Sequence, residues 1–200
     1  ITRKVIESSE VEYVMKSIDR GDFSLTDPYE DGTSIAPLQF NFSPLNRPQS
    51  IGYNVTISAP HMHAYALVVF VLSPNINALP PYQEYLKEHL KTAKRCLDVG
   101  SGSGFLALAF AKMMEQSDAV SYGIEHVPDL VKASIENIAK YILNGFWTSY
   151  TEIYLRNHKE FLDKGKVIMK EGDGRLGLAE YAPYEAIHVG AGAIINRKVV

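Results

Sequence analysis

One cysteine occurs in 200 residues, Cys96. A lone thiol excludes an intrachain disulfide, and its place inside an apolar run suits a reducing compartment, so a cytoplasmic location is expected. No apolar stretch is long enough to span a bilayer, and no membrane partner is expected. Net charge is -3 and the pI about 6.1, with no basic cluster, so nucleic acid is not an expected partner either. Repeats and low-complexity tracts are missing. His61-x-His63 lacks the Cys, Asp or Glu cluster that would complete a metal site, so no metal is expected. Asn41-Phe42-Ser43 and Asn54-Val55-Thr56 match the glycosylation triplet, but no signal peptide precedes them, and both read as chance matches. The chain opens on Ile1 without Met, which is consistent with a missing upstream segment.

Against these absences stands enough apolar material, 46% of residues, to bury the core of one domain. The most informative stretch is Cys96-Leu97-Asp98-Val99-Gly100-Ser101-Gly102-Ser103-Gly104-Phe105. A short apolar run ends in a carboxylate, three glycines alternate with two serines, and the helical pattern from Leu106 to Met113 follows at once. That order is strand, tight turn, helix, the first unit of a nucleotide-type α/β fold. The spacing is D-x-G-x-G-x-G. Phe105 occupies the third glycine position of the dinucleotide fingerprint, which disfavours a nicotinamide oxidoreductase. The pattern resembles motif I of class I S-adenosylmethionine (AdoMet) methyltransferases. AdoMet carries a sulfonium and an amino-acid end rather than a phosphate, so a carboxylate such as Asp98 beside the turn makes electrostatic sense. A Gly-rich turn without a ligand is the competing interpretation.

A second strand, Ala119 to Glu125, again ends in an acid, 21 residues after Gly104. A carboxylate there can accept from both ribose hydroxyls; alone, it would read as a solvated strand end. Elsewhere the pattern predicts helices over 5–18, 64–72 and 82–92, and a long irregular loop over 26–50. Pro128 opens a further helix, whose face Val131, Ile135, Ile138 and Ile142 define. An amphipathic helix is expected over 145–164, and strands over 167–171 and 184–190.

Several uncommon words occur together: Pro48-Gln49-Ser50-Ile51-Gly52, then Thr56-Ile57-Ser58-Ala59-Pro60-His61-Met62-His63-Ala64, then DVGSGSG, GIEH, GDGR, and Pro183 to Ala191. In this order they resemble the protein-L-isoaspartate (D-aspartate) O-methyltransferase family over most of residues 1–193. Segments 33–47, 73–88 and 145–164 look like insertions relative to it. The resemblance implies a Rossmann-like, doubly wound α/β sheet. It divides one domain, 1–200, into N-terminal helices with a substrate loop (1–95) and a cofactor-binding core (96–200). It also implies methyl transfer from AdoMet, leaving S-adenosyl-L-homocysteine, to the α-carboxylate of L-isoaspartyl residues in damaged peptides and proteins. The ester then closes to a succinimide, whose hydrolysis regenerates some aspartate. A carboxylate at neutral pH is already an oxygen nucleophile and needs no general base. The protein must hold oxygen, methyl and sulfur in line and exclude water. A monomer is expected.

The same resemblance assigns roles by position. Thr56, Ile57 and Ser58 fall on the active-site loop, with Ser58 as the catalytic position, orienting a carboxylate or approaching the cofactor, and Val55, Thr56, Ile57 and Ser58 are expected among the cofactor-binding residues. Locally, Ser58 could equally be a helix N-cap. His63 matches a cofactor contact. Gly100, Ser101, Gly102, Ser103 and Gly104 match the turn at the methionine end, with Asp98 beside it. Glu125, where the family often has aspartate, and His126 match the ribose end. Gly172 and Asp173 match the adenine edge, although Asp173 and Arg175 could instead be a turn ion pair. About four of the usual seven strands are supplied, which implies an incomplete C-terminal part with an uncovered strand edge and core face. An AdoMet methyltransferase with another acceptor, or a catalytically silent AdoMet-binding homologue, remain the alternatives.

Overall fold

The computed structural model describes residues 8–24, 48–69, 90–143 and 155–191. The expected insertions 33–47 and 73–88, and the stretch Ile194 to Val200, lie outside these residues.

Four parallel strands form the central sheet: β3 (Arg95–Val99), β4 (Val120–Glu125), β7 (Val167–Glu171) and β8 (Ala186–Val189). Their spatial order is β7-β4-β3-β8. The chain steps outward from β3 through β4 to β7, then returns to the other side of β3. The order therefore reverses at β3, which makes the carboxyl ends of β3 and β8 the topological switch point, the usual ligand crevice of an open α/β sheet. β4 is buried from Ser121 to Glu125 without alternation, as expected of a central strand covered on both faces. β8, paired with β3 alone among the described residues, is only partly buried.

One face of the sheet carries the main core. Helix α3 (Phe105–Met113) lies at its centre and buries every residue but Lys112, so its sequence shows little amphipathic contrast. Against it pack α1 (Ser9–Ser17) and α2 (Pro60–Val69). α1 forms because Ser8 caps it, accepting from the Val11 amide at 3.4 Å, and because Val11, Val14 and Met15 share one buried face. Pro128 starts α4 (Pro128–Ala139), which buries Leu130, Ser134 and Ile138. The other sheet face holds Leu97, Tyr122 and Ile124, overlaid by Leu178, Tyr181 and Tyr184 from the turns after β7. The Tyr122 and Tyr181 rings stack at 4.5 Å.

Four expectations need correction. The end of the long loop is instead a hairpin, β1 (Gln49–Gly52) paired antiparallel with β2 (Val55–Ile57). Its tip uses Tyr53 and Asn54 at positive φ, so the usual Asn-Gly turn signal is missing. The helix from Pro128 ends at Ala139, and residues Tyr141–Leu143 form β5, paired antiparallel with β6 (Leu155–Asn157). Of the expected face of α4, Ile138 is buried, while Val131 is half-buried and Ile135 is 41% exposed, with Leu130 and Ser134 buried in their place. The expected amphipathic helix over 145–164 reduces, among the described residues, to α5 (Lys159–Asp163). Finally, α2 begins at Pro60, earlier than the apolar pattern indicated.

No helix among the described residues is long and apolar enough to cross a membrane.

Candidate active site

The glycine turn sits at the switch point. Gly100, Gly102 and Gly104 all take positive φ, at 77°, 49° and 84°. At Gly100 a side chain would also collide, because a Cβ there would stand 2.6 Å from the Ala191 Cβ. The chain can thus make the turn and let the segment after β8 close on it only with glycine at this position. Ser101 and Ser103 are buried within the turn. The Gly100 and Ser101 amides both donate to the Ile124 carbonyl, at 2.9 and 3.1 Å, and Asn137 of α4 donates to the Ser103 carbonyl at 3.1 Å.

Two buried carboxylates flank this turn. Glu125, at the end of β4, is 4% exposed. Its Oε2 accepts from the Gly102 amide at 3.1 Å, and its Oε1 accepts from the amides of His126 and Val127 at 2.8 and 3.1 Å. The exposed His126 ring also approaches Oε1, at 2.9 Å. Oε2, with one partner, keeps an acceptor position to spare. Asp98, at 2% exposure, faces His188 across the β3–β8 pair, with Oδ1 2.7 Å from Nδ1. Gly172 joins the group through its amide, which donates to the Glu125 carbonyl at 2.9 Å. Asp173 is used differently. It caps its own 3₁₀ turn and forms a forked pair with Arg175, at 2.9 and 2.6 Å, which holds its carboxyl down at about 2. The turn ion pair considered from sequence is therefore present.

The hairpin and the start of α2 form the opposite wall. Ile51 of β1 reaches over the turn, 3.3 Å from where a Gly102 Cβ would be. His63 stacks on Phe105, the residue after Gly104, at 4.5 Å and 14°. Burial, the charge of Arg20 and then His188 push the His63 imidazole down to about 3, so it is neutral at physiological pH. Ile57 is buried, Val55 and Ser58 are half-buried, and Thr56 is exposed. α2 begins at Pro60, so the capping position falls on Ala59, whose carbonyl accepts from the Met62 and His63 amides, and not on Ser58.

Two residues of this site carried no sequence signal. His188 lay unnoticed within a strand pattern, and only the register shows that it meets Asp98. Arg20 lies just past the helix expected over 5–18. In the fold Arg20 is 5% exposed, and its guanidinium donates to the carbonyls of Ser58 and Ile57, at 2.7 and 3.4 Å. Burial lowers its pKa to about 10. Cys96 sits in β3 with its thiol pushed up to about 12 by burial, so it is chemically quiet. Among the described residues, no group of three His, Cys, Asp or Glu is placed to hold a metal ion.

The chain as a whole resembles known proteins. The profile of the protein-L-isoaspartate(D-aspartate) O-methyltransferase family matches residues 1–195. The chain belongs to this family. Protein-L-isoaspartate O-methyltransferase of Caenorhabditis elegans is 43% identical over 188 residues, 94% of this chain and 62% of that protein. Protein-L-isoaspartate O-methyltransferase 1 of Arabidopsis thaliana is 38% identical over 189 residues, 94% of this chain and 63% of that one. The chain thus spans about three-fifths of the length of these curated relatives. Among solved structures, a Plasmodium falciparum chain described as a protein-L-isoaspartate O-methyltransferase, in complex with S-adenosyl-L-homocysteine, matches with a TM-score of 0.66. It is 30% identical, and the match covers 96% of this chain and 69% of that one. A second structure, described as a protein-L-isoaspartate O-methyltransferase, matches with a TM-score of 0.57 at 18% identity and supports the fold alone. The Rossmann-like methyltransferase fold expected from the glycine turn is the fold observed.

Proposed function

We propose that this chain carries the AdoMet-binding and acceptor-loop portion of a methyltransferase that repairs L-isoaspartyl residues in peptides and proteins. The observation that carries this is the glycine turn at the switch point, flanked by the buried carboxylates of Asp98 and Glu125. A ligand with a sulfonium, an ammonium and ribose hydroxyls needs acceptors and negative charge there, and this donor set fits it. Family membership supports the reaction, and the Plasmodium falciparum relative holds S-adenosyl-L-homocysteine.

Each residue then has a task. Gly100, Ser101, Gly102, Ser103 and Gly104, with Asp98, hold the amino-acid end. Glu125 and His126 take the ribose, with Gly172 and Asp173 at the base edge and His63 closing the site from α2. Bound AdoMet supplies an activated methyl group on sulfur. Val55, Thr56, Ile57 and Ser58 line the acceptor side, and the Ser58 hydroxyl orients the substrate carboxylate. That carboxylate is ionised at neutral pH and brings its own nucleophilic oxygen, so the chain's task is alignment and exclusion of water rather than proton transfer. The His63 imidazole, with its pKa pushed down to about 3, is a weak base, which agrees with this.

Residues 1–95 and 96–200 act as parts of one domain, supported by the packing of α1 and α2 on α3 in a single core. We place the protein in the cytoplasm as a monomer acting on peptides rather than nucleic acid or membranes. The single, buried Cys96 and the net charge of -3 support the compartment and the exclusion of nucleic acid.

The test is methyl transfer from labelled AdoMet, catalysed by the complete gene product, to two peptides that differ only in an aspartyl or isoaspartyl linkage. Transfer to the isoaspartyl peptide alone is expected. Transfer to neither, with AdoMet bound, would replace this function with another acceptor or a silent homologue.

A further inference from the structure

Arg20 stands at a junction. It opens the 3₁₀ turn Arg20–Phe23, which follows α1 directly. Arg20, Asp22 and Phe23 are all buried there, an unusual fate for a short polar turn. The turn is fixed from three sides. The Asp19 carboxylate accepts from the Gly21 amide at 2.9 Å. Phe23 meets Phe105 edge-on at 5.4 Å. Lys140, at the end of α4, donates to the Asp22 carbonyl. Phe105 begins the helix that follows the glycine turn, and α4 follows Glu125. The turn is therefore anchored to the two helices that carry the proposed cofactor site.

From that platform the guanidinium reaches the hairpin. Nη1 and Nη2 donate to two successive carbonyls, those of Ser58 and Ile57. A planar fork gripping two successive carbonyls fixes the two peptide groups on either side of Ser58, which a flexible single-point donor does not do. Those two peptide groups flank the residue assigned to the acceptor carboxylate, just past the end of β2. The same cation lies beside His63, Pro60 and Phe105. Burial of an arginine for packing alone would be costly, because a charge removed from water must be met by well-placed acceptors.

We propose that Arg20 is a positioning residue for methyl transfer: it registers the backbone on both sides of Ser58 against the cofactor platform and so aims Ser58 at the acceptor. This rests on the function proposed above. It separates the two halves of the reaction. Loss of the fork should disturb the acceptor side more than the cofactor side, because the fork holds the backbone around Ser58.

The experiment uses the complete gene product and the variants Arg20→Met and Arg20→Lys. It reads kcat and KM on an isoaspartyl peptide, the Kd for S-adenosyl-L-homocysteine, and thermal unfolding. Misalignment of a reacting group predicts a kcat about 10- to 100-fold lower for Arg20→Met, with the cofactor Kd within about threefold of wild type. Arg20→Lys, which keeps the charge but spans one carbonyl, should restore part of that loss and no more. If Arg20→Met does not fold, Arg20→Lys alone decides, and a kcat about fivefold or more below wild type at unchanged Kd is expected. A folded variant with wild-type kcat, or one that loses cofactor affinity and kcat in proportion, overturns the proposal and leaves Arg20 a packing peg. Wild-type protein that binds S-adenosyl-L-homocysteine but methylates no isoaspartyl peptide overturns the proposed function first, and this inference with it.

Discussion

Asp98 and His188 are register partners on parallel strands, and their side chains meet at 2.7 Å at the carboxyl ends of β3 and β8. The bond ties together the two strands between which the sheet order reverses. It also holds a carboxylate, itself almost wholly buried, in one orientation beside the glycine turn. Replacing His188 by Ala leaves Asp98 without that partner. A lost hydrogen bond to a buried charged group predicts a stability loss of about 1–3 kcal/mol. It should be accompanied by weaker binding of S-adenosyl-L-homocysteine. Denaturant unfolding and calorimetry on His188→Ala, Asp98→Asn and the double variant would measure both effects. A coupling near zero would mean that the two side chains do not act together.

Glu125 does two jobs. It accepts from three backbone amides, including Gly102 in the turn, and it lies where the ribose is proposed to bind. Glu125→Ala should therefore loosen the turn as well as remove an acceptor. Cofactor affinity is expected to fall at least about tenfold, the scale of one charge-assisted hydrogen bond. Titration with S-adenosyl-L-homocysteine would show it. Unchanged affinity would move the ribose away from this residue.

Ser58→Ala should behave in the opposite way. Its hydroxyl is proposed to meet the acceptor, so methyl transfer should drop by about 10- to 100-fold while cofactor affinity holds. Parallel kinetics and calorimetry distinguish the two patterns. Equal turnover by both proteins would remove Ser58 from the site.

The two sides of the site differed in how openly the sequence displayed them. The glycine turn, Asp98 and Glu125 were legible because local chemistry dictates them: positive φ demands glycine, and each strand ends in an acid before a helix begins. The four parallel strands followed from their apolar runs. The hairpin was hidden because β2 has only three residues and its tip places Tyr53 and Asn54 in the left-handed region without the usual glycine pair. Within 145–164, aromatic and charged residues recur at helical spacing, and this pattern hides the short strand Leu155–Asn157. Arg20 and His188 were invisible for a different reason. Their partners lie 38 and 90 positions away, and no local pattern encodes such contacts.

Gly100→Ala tests the turn itself. The φ of 77° is unfavourable for any residue with a Cβ, and that Cβ would press on Ala191. Left-handed backbone costs about 1–2 kcal/mol, and the collision adds to it. The variant should unfold at lower denaturant and bind the cofactor poorly. Gly165→Ala is the matched control: φ is 63° there too, but a Cβ would meet nothing within 4 Å. It should show the backbone cost alone. Equal losses in the two variants would mean that the Ala191 contact yields freely.

His63 gives the fold a dependence on acid. Its imidazole is pushed from the ordinary 6.5 down to about 3, chiefly by burial and then by the charge of Arg20. Above pH 6.5 the imidazole is neutral in both folded and unfolded chains, and its contribution to stability is fully present. As pH falls below 6.5 the unfolded chain takes up a proton that the folded chain refuses. Stability is then lost by up to about 1.4 kcal/mol per pH unit, until the folded imidazole titrates as well. His63→Gln removes this proton uptake. It also removes the stack on Phe105, worth about 0.5–1.5 kcal/mol. The variant should therefore be less stable at pH 7.5 and converge on wild type as pH is lowered towards 4.5. Urea midpoints measured across that range would check the convergence. Parallel curves would mean that His63 takes up a proton as readily folded as unfolded, and that the cation beside it does not hold it neutral.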